Sequence, residues 1–191
     1  MILTVDLEER VADLAARTGF PVPAVTPDRA AKRAGIAFDP GTGVLHVPPE
    51  AVQQYPPYLQ DFLIAQEFVQ TRLGVHEKTA RMRTAGKIAG VVPVLAALLI
   101  MEFLFDGSWA VFAIAVVPVV IASVALNIFI THRWTHPFLR RSDRQLVTLL
   151  GPDAVRAALT WLDDHYQGGR FVTFPLPKAR LAWLAAEEIH R

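Results

Sequence analysis

The chain has 191 residues, of which 52% are hydrophobic and 19% charged, with a formal net charge of +1. That balance is apolar-rich and charge-poor for a globular protein, and it excludes bulk electrostatic attraction to nucleic acid. Cysteine is absent, which excludes disulfides, thiolate metal sites and cysteine nucleophiles.

The opening stretch MILTVDLEERVADLAARTG carries Asp6, Glu8 and Glu9 and lacks the basic start and apolar core of a signal peptide. Leu3, Leu7, Val11 and Leu14 recur at helical spacing, so an amphipathic helix is expected to end near Gly19. PVPAV is predicted to be extended. Thr26-Pro27-Asp28 has the form of an N-cap with proline at the first helical position, opening a short helix that stops at Gly35. GIAFDPGTGVLHVPP places two apolar runs around Asp39-Pro40-Gly41-Thr42-Gly43, which predicts strand, turn and strand.

After Pro56 and Pro57 comes a helix containing LIAQEFVQTRLG. Leu59, Phe62, Leu63, Gln66, Val69, Gln70 and Leu73 fall on one face at spacings of three and four. Both glutamines therefore point inward or toward a cleft, with Glu67 beside them.

Two apolar runs follow, Ile88–Phe105 and Trp109–Ile130, of about 18 and 22 residues, against the roughly 20 that cross a bilayer. The first extends back to about residue 86, and Asp106-Gly107-Ser108 makes a tight connection, so a transmembrane helical hairpin is expected. Lys78, Arg81, Arg83 and Lys87 precede it, and Arg133, Arg140, Arg141 and Arg144 follow. The positive-inside rule puts both flanks, and hence both termini and the main domain, in the cytoplasm of a two-pass cell-membrane protein. Pro93 and Pro118 read as tolerated bends. Glu102 is a candidate intramembrane polar site near the outer end, and Asn127 a candidate interhelical hydrogen bond.

Beyond the hairpin, Ser142 or Asp143 is expected to cap a helix through Leu150. Gly151-Pro152-Asp153 breaks it and starts AVRAALTWLDDHYQ, which Gly168-Gly169 ends. A last helix from Pro177 carries Leu181 and Leu184. The organisation expected is residues 1–84, a hairpin over residues 85–131, and residues 132–191, with the first and last parts packing together. No glycine-rich phosphate loop precedes a helix, since Gly41–Gly43 is a hairpin turn. No basic-aromatic signature for nucleic acid is present either, and the basic residues near the apolar runs suit anionic lipid.

Replacing Gln66 and Gln70 by histidine would turn the helix into His-Glu-Phe-Val-His, two imidazoles on one face with a glutamate base. With ARTGFPVPAV, GVLHVPPEAV, LIAQEFVQ, LRRSDRQLVTLLG and TFPLPKARLAWL in that order, the chain resembles the M48 family of membrane-associated zinc metallopeptidases, of the HtpX and CAAX prenyl protease types. The resemblance implies a zincin-like, mainly α fold with a small β-hairpin or sheet, interrupted by the hairpin of spans. It implies that Gln66, Gln70 and Leu139 stand at former zinc-ligand positions. Glu67 would be the catalytic base, and Asp143, Arg180 and His46 would be cleft residues. Phe174 replaces a family histidine, whereas Pro175 and Arg180 match.

Neutral glutamine is a poor zinc ligand and leucine is none. The resemblance therefore implies a non-catalytic peptidase homologue, a pseudoenzyme with a degenerate motif. It would hold a peptide or membrane-protein partner in the remnant cleft, along an edge strand around Leu45 and Val47. One alternative is a membrane-bound zinc hydrolase with an altered site, relocated onto Glu67, Asp143 and one of His46, His76, His132, His136 and His165, or disabled by introduced glutamines. Another is a two-span protein acting by lateral assembly through Glu102. The partners expected are the bilayer and a peptide or membrane protein, without nucleic acid. No cofactor is expected, or zinc if the altered site functions. Oligomeric state stays open.

Overall fold

The structure is a computed structural model that describes residues 5–27, 35–75, 109–165 and 176–189, with scattered residues between 77 and 99. The chain divides into two units, residues 1–75 with 138–191, and residues 76–137.

In the first unit, helix α1 (Val5–Thr18) buries Leu7, Val11, Leu14 and Ala15 along one stripe. Asp6 and Glu8 stand in its first turn and Arg17 in its last, each sign opposing the helix dipole. The helix stops at Gly19, whose φ of +64° is a left-handed conformation that glycine adopts without strain.

Strands β1 (Ala24–Pro27), β2 (Ala37–Asp39) and β3 (Val44–Val47) form an open sheet in the order β1-β3-β2. β1 runs parallel to β3, with Ala24 opposite Val44, and β2 runs antiparallel, with Phe38 opposite Leu45. The β2–β3 turn is organised by Asp39, which accepts from the Thr42 hydroxyl at 2.8 Å and the Gly41 N–H at 2.9 Å. These bonds, the Thr42 hydroxyl first, hold the Asp39 carboxyl below its ordinary pKa.

Helices α2 (Pro49–Gln54) and α3 (Pro57–Arg72) each begin on a proline, whose missing N–H belongs to the first turn, where no intrahelical partner exists. Arg10 of α1 donates from Nε to Asp61 at 2.9 Å, and Gln60 donates to the Tyr55 carbonyl at 2.8 Å, fastening the corner between α2 and α3. Helix α4 (Trp109–Leu150) enters this unit from Phe138 onward. Gly151, with φ +89°, separates it from α5 (Pro152–Asp164), and α6 (Pro177–Ile189) closes the chain.

The core is built around α3. Leu59, Phe62, Ile64, Ala65 and Phe68 are fully buried there. They cluster with Leu7 and Val11 of α1, Leu45 and Val47 of β3, Leu146 of α4, and Val155 and Leu159 of α5. Phe68 stacks on Phe20 at 4.8 Å between centroids, and Phe38 meets both rings edge-on.

Several expectations are corrected. Thr26 and Pro27 end β1, because they pair with His46 and Val47, and do not cap a helix. The short helix expected after them falls largely on residues 28–34, outside the described residues. Ser142 and Asp143 lie within α4 and are buried, because the helix continues unbroken through them.

The transmembrane hairpin is also overturned. Among the described residues, no helix is long and apolar enough to cross a membrane. The two-pass topology, the bilayer as partner, and the cell-membrane location with cytoplasmic termini fall with it. Trp109–Ile130 is instead the first part of α4, a 42-residue helix that runs on through Arg133, Arg140, Arg141 and Arg144. In the second unit the described residues Ile88, Val91, Val92, Leu95 and Leu99 are helical and exposed. Hydropathy sums apolar character along the chain and does not see what a helix packs against, so an apolar run alone does not establish a span. Glu102 and the Asp106–Ser108 connection lie outside the described residues. The fold is thus mainly α with a small open sheet.

Phe68→Ala should lower unfolding free energy by about 3–5 kcal/mol in denaturant titration, the usual cost of emptying a fully buried phenylalanine site. A depressed carboxyl stabilises above its unfolded pKa and loses that contribution as pH falls through the folded value. Asp39→Asn should therefore flatten part of the acid limb of a stability–pH curve.

Candidate functional site

The LIAQEFVQ segment occupies the second half of α3, and the Gln66 amide meets Arg180 of α6. Arg180 stands in the first turn of α6, its backbone N–H bonded to the Leu176 carbonyl at 3.2 Å. Its side chain turns inward and is only 8% exposed, and Asp143 of α4 is 2% exposed. Arg180 Nε lies 3.2 and 3.1 Å from the two Asp143 carboxylate oxygens, and Nη2 also donates to Oδ1. The same Nη2 donates to Gln66 Oε1 at 3.0 Å. The guanidinium carbon sits 5.5 Å from the Phe62 ring centroid, within cation–π range.

Burying both charges carries a desolvation penalty of several kcal/mol per ion, repaid only where geometry is good and the remaining donors are bonded. Here Asp143 and the Gln66 carbonyl pair the charge and bond Nε and Nη2. Gln66 is thus fixed as an acceptor toward a cation.

Glu67 points elsewhere. Its Oε2 accepts the Phe38 N–H at 3.3 Å, covering the outer edge of β2. Gln70 is 5% exposed and Leu139 is 2% exposed. His46 is in β3 with strands on either side. His165 is exposed just past the end of α5, stacked on Trp161 at 3.9 Å. His76 and the side chain of His132 lie outside the described residues. The structure therefore joins Gln66, Asp143 and Arg180, and sets Glu67 against the sheet.

Among the described residues, no group of three histidine, aspartate, glutamate or cysteine side chains is placed to hold a metal. The relocated zinc site is overturned within those residues, because its candidate ligands do not converge.

The strand reading changes as well. The strand around Leu45 and Val47 was expected to be a sheet edge that receives a peptide. β3 is the central strand, hydrogen-bonded on both sides. Glu67 blocks the β2 edge. On β1, Ala24 N–H faces β3, bonding the Gly43 carbonyl at 3.2 Å, so alternation turns Val25 outward together with residues 23 and 27. Both of those are prolines and have no N–H to offer a new strand.

One feature escaped the sequence reading, a cleft of about 490 Å³ lined by residues that include Arg17, Arg72 and Gln145. Its signal was present in the last turns of α1 and α3, where a basic residue near free carbonyls marks a helix end.

No family model, no curated protein and no solved structure matches the chain. Together with the missing ligand cluster, this overturns the resemblance to the M48 peptidases and the zincin-like assignment. With it go the pseudoenzyme holding a partner in a remnant cleft, the altered membrane zinc hydrolase, and the two-span assembly. The resemblance rested on the order of short segments whose three zinc-ligand positions, Gln66, Gln70 and Leu139, were all replaced. Glutamine, leucine and arginine have a direct use here in packing and in one buried ion pair.

Arg180→Met should cost about 3–5 kcal/mol in denaturant titration, because it strands a buried carboxylate. The double variant Arg180→Met with Asp143→Leu should recover most of that loss. Equal destabilisation by the single and double variants would refute a paired-charge role.

Proposed function

We propose that this chain works as a non-enzymatic scaffold, a helical body in which Arg180 fixes the C-terminal helix against α3 and α4. The observation that carries the reading is that Gln66 and Glu67, on the expected reaction face, are each bonded to a structural partner. A general base must reach the proton it removes. Glu67 Oε2 instead holds a strand-edge N–H, and Gln66 holds Arg180. The chemistry of these residues is positional: they set where helices and strands lie.

In this reading Glu67→Gln acts on stability alone. Glutamine keeps an acceptor oxygen for the Phe38 N–H and loses only the charge assistance, which should cost about 1 kcal/mol, read by thermal and denaturant melting. Protein incubated with zinc and then dialysed should retain substoichiometric metal by elemental analysis, and it should not cleave casein. Zinc-dependent cleavage that disappears in Glu67→Gln would overturn the scaffold reading.

A further inference from the structure

The cleft at the ends of α1, α3 and α4 has a charge and donor pattern that the scaffold role leaves unused. Arg72 donates from Nη1 to the Thr18 carbonyl at 2.6 Å. Arg17 donates to the Leu149 carbonyl, and from Nη1 to Asp13 at 3.4 Å. Each arginine thereby satisfies a carbonyl at a helix C-terminus. Capping consumes only part of each guanidinium, which carries five N–H donors.

Among the described residues, Arg72 Nε and Nη2 have no partner, and Arg72 forms no ion pair. Those two nitrogens form one edge of the guanidinium fork, whose parallel N–H bonds match the two oxygens of a carboxylate. The Gln145 amide, also on the cleft wall, has no partner among the described residues. Val69 and Leu149 add apolar wall to the same space.

The local field selects the charge of a ligand. Three helix C-termini contribute roughly −0.5 charge each. Two guanidiniums contribute +2 and the exposed Asp13, bonded to Arg17, contributes −1, so the sum is about −0.5 and attraction for an anion is local to the free edge of Arg72. One guanidinium edge in such surroundings suits a monoanion and disfavours a phosphate dianion. A volume of about 490 Å³ leaves room for a body as well as a head group.

We propose that this cleft binds a small monocarboxylate with an apolar body. The carboxylate takes the free edge of Arg72, Gln145 donates its amide to the same head group, and the apolar part lies against Val69 and Leu149. The site is independent of the Arg180 network, so its failure leaves the scaffold reading untouched.

The test uses the full chain and three probes in isothermal titration: hexanoate, hexanol and inorganic phosphate. Hexanoate should bind saturably, at least about tenfold more tightly than either of the others, since one charge-assisted pair is worth about 1.5–3 kcal/mol. Arg72→Leu should abolish the difference between hexanoate and hexanol. Because Arg72 also caps α1, Gln145→Leu serves as the second variant. It breaks no bond within the described fold, so it should weaken hexanoate several-fold with an unchanged melting temperature. Equal binding of hexanol, tighter binding of phosphate, no saturable binding, or hexanoate binding indifferent to Gln145→Leu would each overturn the proposal.

Discussion

A single buried guanidinium, that of Arg180, joins segments far apart in the chain. Its partner Asp143 lies 37 residues away and Gln66 lies 114 residues away. A buried arginine is tolerable only where its charge is paired and its donors are bonded. That requirement fixes several things together. Helix α6 must begin where its first turn faces α4, α4 must continue far enough to bring Asp143 there, and α3 must turn Gln66 toward both. The Phe62 ring serves this site and the apolar core together. The ion pair does not supply the main stabilisation, which comes from apolar burial around α3, but it restricts how α6 docks on that core.

Helix α3 carries two different tasks on adjacent residues. Gln66 addresses the ion pair and Glu67 addresses the sheet. A small sheet of short strands has unprotected edges that invite unwanted pairing. Here one edge is covered by a carboxylate and the other is interrupted by prolines. The same glutamate that resembles a general base in one dimension is, in three, a guard on an exposed backbone amide. Strand addition is therefore disfavoured at both edges of the sheet.

Much of the fold was legible because its signals are local. Leu7, Val11 and Leu14 at helical spacing defined α1. The Asp39–Gly43 segment specified the β2–β3 turn through a carboxylate that bonds its own following residues. Gly151-Pro152 separated α4 from α5. Part of the inward stripe of α3 was visible from spacing, since Leu59, Phe62, Val69 and Gln70 are buried, but Ile64, Ala65 and Phe68, which complete the core, lay outside the expected face. The errors came where local signals served another purpose. Thr26-Pro27 has the chemistry of a helix cap, yet its backbone is recruited by β3. Ser142 and Asp143 have cap chemistry too, yet the helix passes through them and Asp143 is spent on Arg180. The apolar runs have the composition of spans, but composition does not say what surrounds a helix.

The candidate site divides in the same way. By itself the sequence determined that the two amides lie on one side of a helix with a carboxylate beside them, since 3.6 residues per turn places them there. It also determined that no thiolate chemistry is open to this chain. Only the tertiary structure decided that Gln66 faces an arginine, that Glu67 faces a strand edge, and that Arg17 and Arg72 meet at one cleft. These facts depend on which distant segments arrive at α3, and distant arrival is set by packing of the whole core, which no local spacing encodes.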